Sequence, residues 1–93
     1  MAAFAAEIAA RAQALVEPFT VYEIDATRNE GLLRTRPVRK QGRAFYYELH
    51  LHGAAALTLR RFQAPVAGER REQVAFALTN ETLARLVGEI AGA

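Results

Sequence analysis

The chain has 93 residues and a mass of 10.2 kDa, which fits one domain over residues 1–93 and leaves little room for two. Apolar residues make up 52% and charged residues 24%, the composition of an ordinary soluble globule and not of a disordered tail. There is no Cys, Ser or Trp, one Asp (Asp25), one Lys (Lys40) and two His, so a disulfide framework, a cysteine zinc site and a Ser or Cys nucleophile are excluded.

Residues 2–16 are good helix formers with Phe4, Ile8, Ala12 and Leu15 at helical spacing, and Pro18 closes the predicted N-terminal helix. Glu7 and Arg11 are four apart in the favourable order for a surface ion pair. From Phe19 the period falls to two. Residues 19–26 read as a strand, Asn29, Glu30 and Gly31 as its turn, and residues 32–39 as a second strand that Pro37 confines to an edge or a bulge. Gln41 and Gly42 make a hairpin turn. Arg43–His52 is the clearest strand, with Phe45, Tyr47, Leu49 and Leu51 facing one way and Tyr46, Glu48, His50 and His52 the other. After Gly53, residues 57–63 send Leu57 and Leu59 inward and Thr58, Arg60 and Phe62 outward. Residues 64–71, with Pro65 and Gly68, read as a polar loop, and residues 73–78 as a strand with Val74, Phe76 and Leu78 on one face. Thr79 then caps a helix whose Leu83, Leu86, Val87 and Ile90 form an apolar stripe, closed by Gly92. The predicted fold class is α+β: a four- to five-stranded antiparallel sheet with an N-terminal and a C-terminal helix packed on one face.

The net charge is only +2, but it is unevenly spread. Residues 28–43 carry Arg28, Arg34, Arg36, Arg39, Lys40 and Arg43 against Glu30, and residues 44–71 carry Arg60, Arg61, Arg70 and Arg71 against Glu48 and Glu69. Both ends are acidic, so the molecule is polarised. Eleven Arg to one Lys among 20 Ala is a compositional bias that accounts for the choice of Arg over Lys, not for its gathering in the centre. No run of apolar residues is long enough to span a membrane, and no charged segment precedes the Ala-rich start, so a cytoplasmic protein without a membrane partner is expected.

Helices on one side of an antiparallel sheet leave the other side free. The inward set (Phe45, Tyr47, Leu49, Leu51, Leu57, Leu59, Val74, Phe76, Leu78) is expected to meet the stripe of the last helix. The outward set holds Tyr46, His50, His52, Arg60 and Phe62, with Arg34 and Arg36 on the neighbouring strand. Such an aromatic and cationic face calls for a partner or a ligand.

The order Leu57-Thr58-Leu59-Arg60-Arg61-Phe62, a polar basic loop, then Val74-Ala75-Phe76-Ala77-Leu78-Thr79 and an amphipathic helix resembles the positive-cofactor-four coactivator family and its small bacterial homologues. Arg60 and Phe62 fall on that family's arginine and aromatic positions, Leu78 and Thr79 on its strand-to-helix step, and Gly53 near a turn. The resemblance covers residues 43–91 and implies a ββββα domain that dimerises and binds single-stranded DNA in grooves lined by basic and aromatic side chains. The chain departs from the pattern in its loop (Gly68-Glu69-Arg70-Arg71-Glu72), in having Phe62 where Trp or Tyr is common, and in its extra N-terminal helix.

Single-strand binding needs cations along a backbone path and flat rings on which bases stack, each stacked base contributing about 1–3 kcal/mol. Arg34, Arg36, Lys40, Arg43, Arg60, Arg70 and Arg71 supply the expected path, Tyr46 and Phe62 the platforms, and His50 a polar third. The alternative buries Tyr46 and Phe62 in a homodimer interface and leaves the arginines solvated. His50 and His52 on one strand face, with Glu48, resemble part of a metal site, but two imidazoles lack a firm third ligand, so no metal and no cofactor are expected. A small ribonuclease using His50, Glu48 and Arg60 is the enzymatic alternative. The expectation is therefore a non-enzymatic, single-stranded DNA- or RNA-binding homodimer acting in transcription or DNA metabolism. The competing expectation is a protein-interaction or assembly module using the same aromatic face.

Overall fold

In a computed structural model, which describes residues 1–15, 17–65 and 70–93, the chain runs α1 (Ala2–Arg11), β1 (Phe19–Asp25), β2 (Glu30–Thr35), β3 (Val38–Lys40), β4 (Arg43–His52), β5 (Ala56–Pro65), β6 (Glu72–Val74) and α2 (Asn80–Ala91). These strands form one antiparallel sheet in the order β1-β2-β4-β5-β6, with β3 also pairing β4. The fold class is α+β, with one strand more than expected.

The extra strand comes from Pro37. It has no N–H to give a ladder, so the single strand expected over residues 32–39 breaks into β2, which pairs β4 as far as Arg34 opposite Glu48, and β3, which resumes at Val38 opposite Phe45. The gap would orphan the backbone N–H of Tyr47, and it donates instead to the hydroxyl of the buried Thr35 at 2.8 Å. Gln41 and Gly42 turn β3 into β4 with φ of 50° and 76°, both in the left-handed region that a two-residue hairpin of this twist requires.

Two other boundaries move. The N-terminal helix stops at Arg11 and not at residue 16, because the Glu89 carboxylate of α2 takes the next backbone donors: Gln13 N–H at 3.1 and 3.2 Å and Ala14 N–H at 2.8 Å. Ala12 is already extended, with φ −80° and ψ 91°. The last strand stops at Val74, and residues 75–79 reach α2 without pairing. Of the polar loop expected over residues 64–71, Ala64 and Pro65 continue β5, and residues 66–69 lie outside the described residues. Thr79 caps α2 as expected, its hydroxyl accepting from the Thr82 N–H at 3.1 Å.

The core is built from α1, β1, β2 and the middle of β4: Ala5, Ile8, Ala12, Leu15, Phe19, Leu33, Leu49 and Leu51, joined by Leu86 and Ile90 of α2. This corrects the expected core. Leu57, Phe76, Leu83 and Val87 are 44%, 37%, 48% and 57% exposed, because α1 packs over β1 and β2 at one side of the sheet and α2 leans on α1 with only half of its stripe. Tyr47, Leu59 and Leu78 are half-buried at the rim of the core.

Candidate nucleic-acid interface

The face away from the helices is assembled by register. Glu48 of β4 lies between Arg34 of β2 and Arg60 of β5, Tyr46 lies opposite Phe62, His50 between Leu32 and Thr58, and Glu30 opposite His52. Gln73 of β6 adjoins Phe62. Arg34, Tyr46, His50, Arg60 and Phe62 therefore share one face, as the alternation predicts.

That face is not bare. Tyr46 and Phe62 stack with ring centroids 5.8 Å apart, and they are only 7% and 9% exposed. Their cover is the chain's own arginines. The Arg71 guanidinium lies 3.8 Å from the Phe62 centroid, and that of Arg34 lies 3.8 Å from the Tyr22 centroid and 4.8 Å from Tyr46. Both guanidiniums donate to one oxygen of the buried Glu48, Arg34 through Nε at 2.9 Å and Nη2 at 2.5 Å, Arg71 through Nη1. Arg71 also donates to the Tyr46 hydroxyl at 3.2 Å. Burial alone would lower the pKa of Arg71, but the hydrogen bonds to Tyr46 and Glu48 and the charge of Glu48 outweigh it, and the net shift is upward. Rings open to water, as expected from the sequence, are thus replaced by a closed knot of two cations, one carboxylate and stacked aromatics, and among the described residues no buried side-chain N or O lacks a partner.

The remaining expected site residues divide by place. Arg36, Lys40 and Arg43 sit at the β2–β3–β4 corner, all exposed, together with Arg39, and none of these four pairs with a described acid. Lys40 and Arg43 lie opposite each other in the β3–β4 hairpin and, sharing the parity of Phe45 and Tyr47, project to the helical side, which corrects their expected place on the outer path; Arg39, opposite Ala44, is on the outer side. Arg70 is exposed beside Arg71, and Arg60 is half-buried on the outer face. His50 pairs with Glu30 at 3.3 Å, not with Glu48, so the triplet His50, Glu48 and Arg60 expected of a ribonuclease is not hydrogen-bonded together. A concavity of about 590 Å³ opens on this face, and its lining mixes Glu23, Asp25, Glu30 and Glu48 with Arg60, Arg71 and His50. The β1–β2 half is therefore acidic, while the positive charge without a described acidic partner is gathered mostly at the hairpin, with Arg60 and Arg70 besides.

Three participants escaped the sequence reading. Arg39 stands in the same basic run as Arg36 and Lys40, which was signal enough. Tyr22 is the extra residue of a bulge between Val21 and Glu23, and a bulge breaks the period from which its face would have been read. Glu30 reads in the sequence as a turn residue, but it opens β2 and faces the histidines.

Fold and face together define a small two-layer α+β protein whose sheet carries a charged, ring-bearing outer surface. No protein-family model matches the chain, and no curated protein or solved structure matches it.

Proposed function

We propose that the chain binds single-stranded nucleic acid without chemistry, acting in transcription or DNA metabolism, with phosphates held first at the β2–β3–β4 corner. The observation that carries this reading is the cluster Arg36, Arg39, Lys40 and Arg43 around the hairpin edge, with Arg39 on the outer side and Lys40 and Arg43 on the helical side, exposed and without a described acidic partner in a molecule whose other arginines are largely engaged. The resemblance of residues 43–91 to single-strand-binding coactivators supports it from a separate direction. Stacking on Phe62 requires Arg71 to leave the ring, and a phosphate offers that guanidinium a substitute for Glu48. Arg34, Arg60, Arg70, Tyr46 and His50 then line the path inward from the corner.

The test is fluorescence anisotropy with oligothymidylate and oligouridylate of about 16 nucleotides, the upper site size of one single-strand-binding domain. A duplex of the same length serves as control. Four phosphate contacts give a slope of about −3 in log affinity against log salt, and Arg39→Ala with Lys40→Ala should roughly halve it. Absence of binding at low salt, or a slope that this double variant leaves unchanged, overturns the reading.

A second reading, self-association as a homodimer or an assembly module, is favoured by a different observation: the apolar side chains of Leu57, Phe76, Leu83 and Val87 left exposed on the helical side. It shifts the expected interface away from Tyr46 and Phe62. The two readings are compatible, since the apolar surface and the basic corner do not share residues.

A further inference from the structure

We propose that Glu30, His50 and His52 form a binding site for a divalent transition-metal ion of the zinc class, at the end of the outer sheet face remote from the basic corner. Two imidazoles alone make a weak site, and the missing donor is supplied by pairing that the sequence does not reveal. Glu30 of β2 lies directly opposite His52 of β4, and His50 is two residues away on the same strand, so all three side chains project from one face. One donor atom from each lies within 4.8 Å of the others. His50 Nε2 and Glu30 Oε2 are 3.3 Å apart, already close to the ~3.3–3.5 Å that separates two donors on a tetrahedral zinc ion with bonds of about 2.0–2.1 Å. The two imidazoles lie with centroids 4.1 Å apart and an interplanar angle of 36°, and side-chain torsions of the exposed His52 close the remaining distance.

The donor set selects the ion. Two nitrogens and one carboxylate suit zinc and its late first-row neighbours, whereas magnesium and calcium call for oxygen donors throughout. The surroundings favour a cation as well. Asp25 lies opposite Glu30 on β1, Glu23 is on the same side, and both line the acidic half of the outer concavity. The Thr58 hydroxyl, 3.2 Å from His52 Nε2, is placed to orient that ring once the metal takes the other nitrogen. Three protein donors leave a fourth position open to solvent, where a bound ion would present a positive centre on the otherwise acidic half of the face. None of its donors belongs to the basic corner, and it shares only His50 with the inner end of the nucleic-acid path, so a failure of oligonucleotide binding leaves the metal test unaffected.

The full chain, freed of any affinity tag and of metal by chelation, is titrated with Co²⁺ under visible absorption and with Zn²⁺ by calorimetry. One ion per chain with the ligand-field bands of low-coordinate cobalt is expected, with Zn²⁺ displacing it. His50→Ala, His52→Ala and Glu30→Gln should each weaken Zn²⁺ by at least about tenfold, the loss that even an outer-shell partner can cause. Circular dichroism of the variants verifies folding, and the ring ¹⁵N shifts of His50 and His52 in the unaltered chain give a readout that needs no variant. Absence of Co²⁺ bands, ring shifts that Zn²⁺ does not move, or a Glu30→Gln affinity equal to that of the unaltered chain overturns the proposal. The last outcome would reduce the site to an ordinary two-imidazole surface chelate.

Discussion

Glu48 decides the character of the outer face. A carboxylate that is 6% exposed is tolerable only because Arg34 and Arg71 both donate to it, and in doing so it draws both guanidiniums down over the rings. Glu48→Gln removes the charge and leaves two cations facing a neutral amide. We expect a loss of about 2 kcal/mol in urea unfolding, less than the 3–5 kcal/mol of a fully buried pair because the side chains of Arg34 and Arg71 keep 24% and 41% of their exposure. The same variant should bind oligonucleotide more tightly at low salt, since phosphate no longer competes with an internal anion. Weaker binding would mean that Glu48 positions the arginines and does not withhold them. The sequence made half of this legible. Strict alternation along 43–52 put Tyr46 and Glu48 on one face and, by pairing, brought Phe62, Arg60 and Arg34 beside them. What it left hidden was which cations close over the rings, because Arg71 arrives from 23 residues away, beyond the end of β5, and no local period encodes where its side chain lands.

The same division between local and distant signals holds for whole elements. Arg43–His52 is found with its predicted ends because period two, turn residues and β-formers agree over one continuous stretch. Residues 2–16 were equally consistent as a helix, yet α1 ends at Arg11, since the competing partner for the backbone of Gln13 and Ala14 is Glu89, 76 and 75 residues along the chain. Leu15 remains where the helical period wanted it, in the core, but it gets there through a bend beyond the end of the helix. Glu89 thus latches the two helices. Glu89→Ala should cost about 1–2 kcal/mol, the range for hydrogen bonds to a charged group when water can partly replace it. It should also speed amide exchange at Gln13 and Ala14 ahead of global unfolding. Unchanged exchange at those two amides would show that the Leu15 side chain, and not the carboxylate, holds the segment. The short β6 has a similar lesson. Val74, Phe76 and Leu78 alternate correctly, but pairing with β5 is limited to Glu72, Gln73 and Val74, so Phe76 packs edge-on against Tyr47 at 5.4 Å and stays 37% exposed.

At the scale of the molecule, one sheet and one helix layer make a slab of 36 × 34 × 19 Å with a radius of gyration of 13.4 Å. A compact chain of this length has a radius of roughly 12 Å. Its surface of 6100 Å² also exceeds the roughly 5,300 Å² usual for a monomer of 10.2 kDa. The excess is on the order of the 800 Å² that each partner buries in a standard interface. Four of the exposed large apolar side chains, Leu83 and Val87 of the α2 stripe and Leu57 and Phe76 of the helical side, lie on one side of the molecule, so self-association is expected there. Leu83→Asp with Val87→Asp should convert a dimer into a folded monomer by sedimentation, with thermal stability of the monomer nearly unchanged because both side chains are already about half in water. The unaltered dimer should persist at high salt, where contacts between charges are screened and apolar contacts are not. If the unaltered chain sediments as a monomer at every concentration, a second copy is not what covers this surface. Coupling to the basic corner then gives a final discriminating measurement. Two corners joined in one dimer bind a long single strand with an avidity that one corner lacks, so the double aspartate variant should lose affinity for a long strand while a short oligonucleotide, which reaches only one corner, binds both forms alike. Equal loss on short and long strands would instead place Leu83 and Val87 within the nucleic-acid surface itself.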